Sequence, residues 1–274
     1  MPAAEAVRRR ASTENFSVAS LLLGSATRRR LMAVYGFARL VDELGDAAEG
    51  DRLAALGEAE AELDRAFAGN ARTPLFREVE ALIRDCRVRR EPFERLLEAN
   101  RRDQIQPEYE TWDDLVSYCE LSANPVGQLV LAVFGAETPD RVALSDDVCT
   151  ALQVIEHVQD VREDALAGRI YMPGEDRRAH GVERDDLTAT TLDAGLRAVL
   201  ELECERARGL LRSGLPLVAS LRGRARFAVA GYVGGGVAAL DALRDAGYDV
   251  LSRAPRPSKA TRLHTTLAIL RSAR

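Results

Sequence analysis

The 274-residue chain has few of the features that would place it in a protein class at once. It has four cysteines and no C-x-x-C pair, so no zinc site or disulfide framework is predicted and reduced thiols are expected. Stretches without a charged residue, such as the 14 residues Phe227–Leu240, are shorter than the roughly 20 residues that a membrane-spanning helix needs. Residues 1–11 lack the apolar core of a secretory signal and are expected to form a flexible tail.

Signals for nucleic-acid binding and for β-structure are also missing. The 43 acidic and 38 basic residues leave a net charge of only −5, which gives no reason to expect a nucleic-acid partner. No segment alternates polar and apolar residues with the period of two that marks strands. Alanine, leucine, arginine and glutamate are abundant, and all four favour helices. We therefore predict an all-α fold in which residues 1–274 form a single domain.

One segment carries a stripe of carboxylates. Between Leu152 and Pro173, helical spacing places Gln153, Glu156, Asp160 and Asp164 on one face, beside a face of valines and alanine that would pack in the core. Stacked acids repel one another on an ordinary surface helix. Because Mg²⁺ prefers oxygen ligands and shares them with phosphate, this stripe predicts a magnesium-binding helix that ends near Gly168.

A second acidic stripe lies upstream. Between Arg29 and Asp46, the residues Tyr35, Arg39, Asp42 and Asp46 share a helical face, and an apolar packing face lies beside it. One D-x-x-x-D pair on a helix is weak evidence for a metal. Two such helices facing each other across a cavity would bind a diphosphate bridged by magnesium ions.

The segment Ser122–Gly127 interrupts an otherwise apolar helical stretch. Pro125 removes an intrahelical hydrogen bond, and Ala123 and Gly127 are small enough for another group to approach the backbone. From these residues alone, a simple break between two helices and a kinked helix beside a ligand are both open.

Four segments resemble the squalene/phytoene synthase family. VYGFARLVDELGD, YCELSANPVGQLVLAVFG and ALQVIEHVQDVREDALAGRIYMP resemble its three main blocks, and VAALDALRDAGYDVLSRAPRPSKATRL resembles its C-terminal helix and basic tail. They follow in the family's order and spacing, from about Glu14 to Arg262. ENFSVASLLL, DELGD and EHVQDVREDALAGRIYMP resemble the branch that makes hydroxysqualene in hopanoid biosynthesis.

This resemblance implies a fold and a set of site residues. The fold would be a single-domain isoprenoid-synthase-type helical bundle around a central cavity. The implied Mg²⁺ ligands, which include Glu156 where the family usually has asparagine, are Asp42, Asp46, Glu156, Asp160 and Asp164. The implied catalytic residues are Asp42, Asp46, Asp160, Asp164, Tyr35 and Tyr171. The implied substrate-binding residues are Phe16, Arg39, Tyr118, Ala123, Val126, Gly127, Gln153 and Arg253.

Among these, Arg39 and Arg253 would contact phosphate oxygens, and the small or aromatic residues would line an apolar cavity. Tyr118, Gln153 and Tyr171 are the candidates for positioning a water molecule. His157 follows Glu156 but points about 100° away from the acidic face, so a core position is favoured over a role as a base.

The resemblance leaves three functions open. The leading one is Mg²⁺-dependent conversion of presqualene diphosphate to hydroxysqualene by ionisation, rearrangement and water capture. The second keeps the fold and metal site but joins two prenyl diphosphates head to head, giving presqualene diphosphate, dehydrosqualene or phytoene. The third is a catalytically silent helical scaffold, against which the two intact stripes argue.

The expected location is the cytoplasm, with peripheral contact at the inner face of the membrane because substrate and product are lipids. Residues 253–274 contain several arginines and no acidic residue. They would bind anionic lipid headgroups or the entering diphosphate; the alternative is that they form a solvated helix. Neighbouring enzymes of the squalene pathway are candidate protein partners.

Overall fold

The computed structural model describes residues 23–46 and 50–273, and these residues are predominantly helical. The helices are α1 (Ser25–Asp46), α2 (Arg52–Phe67), α3 (Pro74–Cys86), α4 (Glu91–Asp103), α5 (Trp112–Ser122), α6 (Asn124–Val133), α7 (Pro139–Gln159), α8 (Val161–Leu166), α9 (Gly174–Ala179), α10 (Ala194–Gly214), α11 (Pro216–Ser220), α12 (Gly223–Asp245) and α13 (Lys259–Ser272), with a 3₁₀ turn at Arg184–Thr188. The pairing of Glu108 with Ile170 is an isolated bridge, and no strand occurs in the described part of the chain. The prediction of an all-α fold is confirmed.

Side-chain caps fix where several helices begin. Thr111 and Asp114 form a reciprocal capping box at the start of α5. The side chains of Asp51, Thr138 and Asp193 accept hydrogen bonds from the first turns of α2, α7 and α10.

The helices enclose two apolar clusters that meet at α6. One cluster is formed by α1, α2, α3 and α4, and in it Phe37 lies between the rings of Phe76 and Phe93. The other joins α5, α7, α10 and α12. Leu129 of α6 belongs to the first cluster and Leu131 to the second, so α6 connects the helices that carry the two acidic stripes.

The interruption at Ser122–Gly127 is a break of one residue. α5 ends at Ser122, Ala123 adopts φ −115° and ψ −47°, and α6 begins at Asn124 with Pro125 in its first turn, where proline costs no hydrogen bond. Gly127 faces α7, and a Cβ there would lie 2.4 Å from Ser145 Oγ and 2.6 Å from Cys149 Sγ. Its lack of a side chain therefore allows α6 and α7 to pack closely.

The acidic segment 152–173 differs from the single helix that was predicted. The helix α7 begins at Pro139 and ends at Gln159, and Asp160, with φ −104° and ψ 11°, separates it from the short α8. The backbone hydrogen bonds from Asp160 N to Glu156 O and from Asp164 N to Asp160 O are kept, so the acids still follow one another around the axis. Gly168 has a positive φ of 86° and ends the segment as predicted.

No helix in the described ranges is long and apolar enough to cross a membrane.

Candidate active site

A cavity of about 480 Å³ opens between α1, α4, α5, α7 and α8. Nine residues singled out in the sequence line it: Arg39, Asp42, Asp46, Tyr118, Gln153, Glu156, Asp160, Asp164 and Tyr171. The two acidic stripes therefore face each other across one space.

Asp42 lies on the α1 side of the cavity. Its side chain is open to the cavity but enclosed by protein on its other sides, and this enclosure raises its pKa to about 6, helped by the neighbouring carboxylate of Asp46. Asn100 Nδ2 donates to Asp42 Oδ1 over 3.4 Å and opposes that shift. Asn100 can approach because Gly45 has no side chain; a Cβ there would lie 2.3 Å from Asn100 Oδ1.

Asp160 lies on the opposite side, at the junction of α7 and α8. Burial raises its pKa, and the carboxylates of Asp164 and Glu163 add to this shift. Glu156, one turn earlier, is exposed to the cavity. Carboxylates that raise one another's pKa in this way form a site that favours a cation.

Arg169 connects the two stripes. Its guanidinium donates to Asp46 Oδ1 over 2.6 Å and lies 4.0 Å from Asp164 Oδ1. Arg39, the other guanidinium on the cavity wall, lies 3.5 Å from Glu43 one turn further along α1. Two arginines beside an excess of carboxylates leave the cavity strongly negative.

The inner wall is a group of aromatic rings around Asp103. Tyr118 donates to Asp103 Oδ2 over 2.7 Å, and Tyr171 donates to Asp103 Oδ1 over 3.1 Å. Burial raises the pKa of Asp103, and the two phenols and Arg169 oppose that rise. Burial also raises the pKa of both tyrosines, so both phenols keep their protons at neutral pH.

His157 belongs to this wall. Its ring stacks on Tyr171 with 3.8 Å between centroids, and its Nε2 lies 3.3 Å from Gln153 Nε2. The other ring nitrogen, Nδ1, faces Asp164 Oδ2 at 3.9 Å. The residue is buried, as its helical position suggested, but it packs in the wall of the site.

A smaller space next to the cavity is lined by Asp160 and Glu163 together with Arg253 and Arg256. Gln159 donates to Pro255 O over 3.0 Å and Arg162 to Leu251 O over 3.1 Å, so the segment that carries these arginines is fixed against α7 and α8. Arg256 opposes the rise in the pKa of Asp160.

Comparison with known proteins identifies the family of this chain. The sequence matches the squalene/phytoene synthase family over residues 9–262. The chain belongs to that family. It is 34% identical to the hydroxysqualene synthase of Zymomonas mobilis over 210 residues, which cover 73% of this chain and 68% of the relative. It is 32% identical to the phytoene synthase of Thermus thermophilus over 245 residues, 89% of this chain and 83% of the relative.

A solved structure extends the likeness to the fold. The crystal structure of squalene synthase HpnC from Alicyclobacillus acidocaldarius superposes with a TM-score of 0.82 and is 45% identical, covering 89% of this chain and 94% of the other. The predicted isoprenoid-synthase-type fold is thereby confirmed.

Not every residue predicted from the family resemblance reaches the cavity wall. Tyr35 is half-buried one turn before Arg39, and it does not line the described cavity. The same holds for Ala123 and Val126, whereas the neighbouring Ser122 does line it. Phe16 lies outside the described residues, and its predicted role stays a prediction.

Some residues that line the cavity were not predicted from the sequence. They are Asn100, Asp103, Ser122, His157, Glu163 and Arg169. Asn100 and Asp103 are three residues apart on α4, which gives them a shared face, but the many neighbouring charges conceal that signal. Arg169 stands in a loop, where no periodicity identifies its direction.

The donor set fits Mg²⁺ that is shared with a ligand. All five predicted ligands are carboxylates on one cavity, and hard cations prefer such oxygen donors. In the described ranges, no three acidic, histidine or cysteine side chains converge closely enough to hold a metal by themselves. Mg²⁺ is usually held by one or two carboxylates plus substrate phosphates, so two facing stripes suit it better than a closed protein cage would.

Proposed function

We propose that the protein converts presqualene diphosphate to hydroxysqualene in a Mg²⁺-dependent reaction. As a member of the squalene/phytoene synthase family, the chain is an isoprenoid enzyme that releases diphosphate. The observation that carries the proposal is the meeting of both acidic stripes with a hydrogen-bonded tyrosine pair in one cavity. The 34% identity to a hydroxysqualene synthase supports the choice of product.

The basic residues would bind the diphosphate. Mg²⁺ held by the two stripes would neutralise the charge of the departing diphosphate and so favour ionisation of the carbon–oxygen bond. Arg39 and Arg169 line the cavity, and Arg253 and Arg256 line the adjacent space; all four would donate to phosphate oxygens. Arg169 would exchange its contact with Asp46 for one with phosphate.

The tyrosine pair would position the water that captures the carbocation. Because each phenol donates its proton to Asp103, a lone pair on each phenolic oxygen remains to accept a hydrogen bond from water. When the water oxygen bonds to the carbocation, its surplus proton can pass to a phenolic oxygen while that phenol transfers its own proton to Asp103. The phenol is regenerated, and the product carries the hydroxyl group.

The test is incubation of the purified protein with presqualene diphosphate or with farnesyl diphosphate, each with Mg²⁺ or with EDTA, followed by mass analysis of the extracted lipid. Hydroxysqualene from the first substrate only, and only with Mg²⁺, is the expected result. Asp160→Asn, which keeps the side-chain shape and removes a ligand charge, should abolish turnover. Equal activity in EDTA, or in this variant, would overturn the proposal.

Head-to-head condensation of two prenyl diphosphates is the second candidate. The 32% identity to a phytoene synthase over most of the chain, and the 45% identity to a protein described as a squalene synthase, favour it. A C30 or C40 product from prenyl diphosphates in the same experiment would select it. If neither substrate gives a product, the scaffold hypothesis would be the one left to test.

A further inference from the structure

We propose that a face formed by α12 and α13 docks on an anionic lipid bilayer. This docking face comprises Arg222, Arg224, Phe227, Leu263, Leu267 and Arg271. Phe227, Leu263 and Leu267 are exposed by 50%, 49% and 43%, and they are half of the large apolar side chains that are exposed in the described residues. Leu263 and Leu267 are four residues apart and therefore share one side of α13.

The face contains an open groove of about 470 Å³. Phe227 and Leu267 contribute to it from the two helices, and Arg222 and Arg271 stand beside them. Arg226 donates to Leu270 O over 3.2 Å and to Ala273 O over 3.1 Å, so the end of α13 is held against the beginning of α12. The apolar side chains are thus presented by a fixed pair of helices.

The charge of this face identifies its partner. The sequence has no acidic residue from Arg222 to Leu240 or from Val250 to Arg274, although the whole chain carries a net charge of −5. Within the described part of the chain, no carboxylate forms an ion pair with Arg222, Arg224 or Arg271, whereas about half of the other arginines there have one. The N-terminus of α12 also has no side-chain cap, so its dipole adds positive potential.

A basic rim around exposed aromatic and leucine side chains suits the boundary between lipid headgroups and acyl chains. The apolar side chains would enter that boundary, and the arginines would lie at the phosphates of anionic lipids.

Docking through this face would also bring the site near the lipid. Segment 250–256, which lines the space beside Asp160, leads directly into α13. Along α13, Lys259 and Leu267 are separated by about 12 Å at the helical rise per residue. The basic edge of the site and the docking face are therefore the two ends of one continuous C-terminal segment.

Vesicle flotation of the full-length protein tests the proposal without any substrate. The probes are vesicles of phosphatidylcholine alone and of phosphatidylcholine with phosphatidylglycerol, each at low and high salt. We expect binding to the anionic vesicles that weakens with salt. Arg222→Gln with Arg271→Gln should lower the partition coefficient roughly 25-fold, about fivefold for each charge. Phe227→Ser with Leu267→Ser should lower it at least about tenfold.

Matched variants separate this face from general effects of charge and apolarity. Arg84→Gln with Arg89→Gln removes the same charge elsewhere, and Leu53→Ser with Ile105→Ser removes exposed apolar side chains elsewhere. Both should bind like the original protein, as should Arg222→Lys with Arg271→Lys. Circular dichroism confirms that each variant is folded.

Three results would overturn the proposal. They are no binding to anionic vesicles, an equal loss of vesicle binding in the matched variants, or a concentration-dependent dimer that dissociates in Phe227→Ser. The last result would assign the face to a second copy of the chain. Because no substrate is present, each of these results is independent of whether the proposed reaction is right.

Discussion

Arg169 donates a hydrogen bond to Asp46 across 2.6 Å and thereby joins the two acidic stripes of the site. The same guanidinium lies 4.0 Å from Asp164 on the other stripe. A side chain thus stands where a cation between the stripes would be expected. We infer that Arg169 neutralises part of the site before ligands arrive and that it competes with Mg²⁺ for Asp46.

Replacing Arg169 by glutamine should tighten Mg²⁺ binding and slow the reaction. One positive charge removed about 4 Å from a carboxylate ligand changes the interaction by about 1 kcal/mol in water, which is about fivefold in affinity. Turnover should fall by at least about a hundredfold, because a phosphate contact is lost. Calorimetric titration with Mg²⁺ measures the first effect. Arg178→Gln, which removes an exposed ion pair with Glu110, should change neither quantity.

Asp160→Asn should lower turnover without destabilising the folded protein. Asp160 is destabilised in its charged form by burial and by Asp164 and Glu163, so a neutral amide of the same shape relieves repulsion. We expect turnover to fall by at least about a thousandfold, while the unfolding midpoint measured in EDTA stays the same or rises. A lower midpoint in EDTA would show that Asp160 supports the fold instead.

The acidic stripes could be predicted from the sequence because helical periodicity is local. Asp42 and Asp46, like Asp160 and Asp164, repeat at the spacing of one helical face, and the structure keeps both faces. The prediction that the two faces meet depended on the family resemblance, since no local pattern relates residues so far apart in the chain.

Other parts of the site depend on tertiary contacts. The break at Asp160 occurs without glycine or proline, next to two side chains, Gln159 and Arg162, that bond the backbone of the C-terminal segment. Asp103 is positioned by hydrogen bonds from Tyr118 and Tyr171, which belong to other parts of the fold. Such contacts are not visible in the periodicity of one segment.

Asp103→Asn tests whether this carboxylate positions the two tyrosines. An amide offers a single acceptor oxygen, so one of the two phenols loses its present partner. We expect turnover to fall about a hundredfold with little change in KM, and a smaller hydroxylated fraction among the products. If the product ratio is unchanged although the protein is folded, Asp103 does not act on water capture. Tyr171→Phe should shift the product ratio in the same direction.

Gly127→Ala should destabilise the protein through the packing of α6 on α7. The added methyl group would meet Ser145 Oγ and Cys149 Sγ at 2.4 and 2.6 Å, and α6 must then move away. Overpacking of this kind costs about 1–3 kcal/mol. Gly57→Ala on α2 is the matched control, because a Cβ there meets nothing within 4 Å and should stabilise the helix by up to about 1 kcal/mol. Urea unfolding of both variants measures the difference.

Glu203 should make the protein less stable as the pH rises towards 8. Its side chain is fully buried, and burial raises its pKa from 4.5 to about 8; Asp176 adds to the shift and Arg206 opposes it. Between these two values the unfolded chain releases the proton while the folded protein keeps it, so the free energy of unfolding falls with pH by at most about 1.4 kcal/mol per unit. Glu203→Gln stays neutral throughout and should flatten this slope. Urea unfolding at a series of pH values from 5 to 8 gives the two slopes, and equal slopes would contradict the assignment.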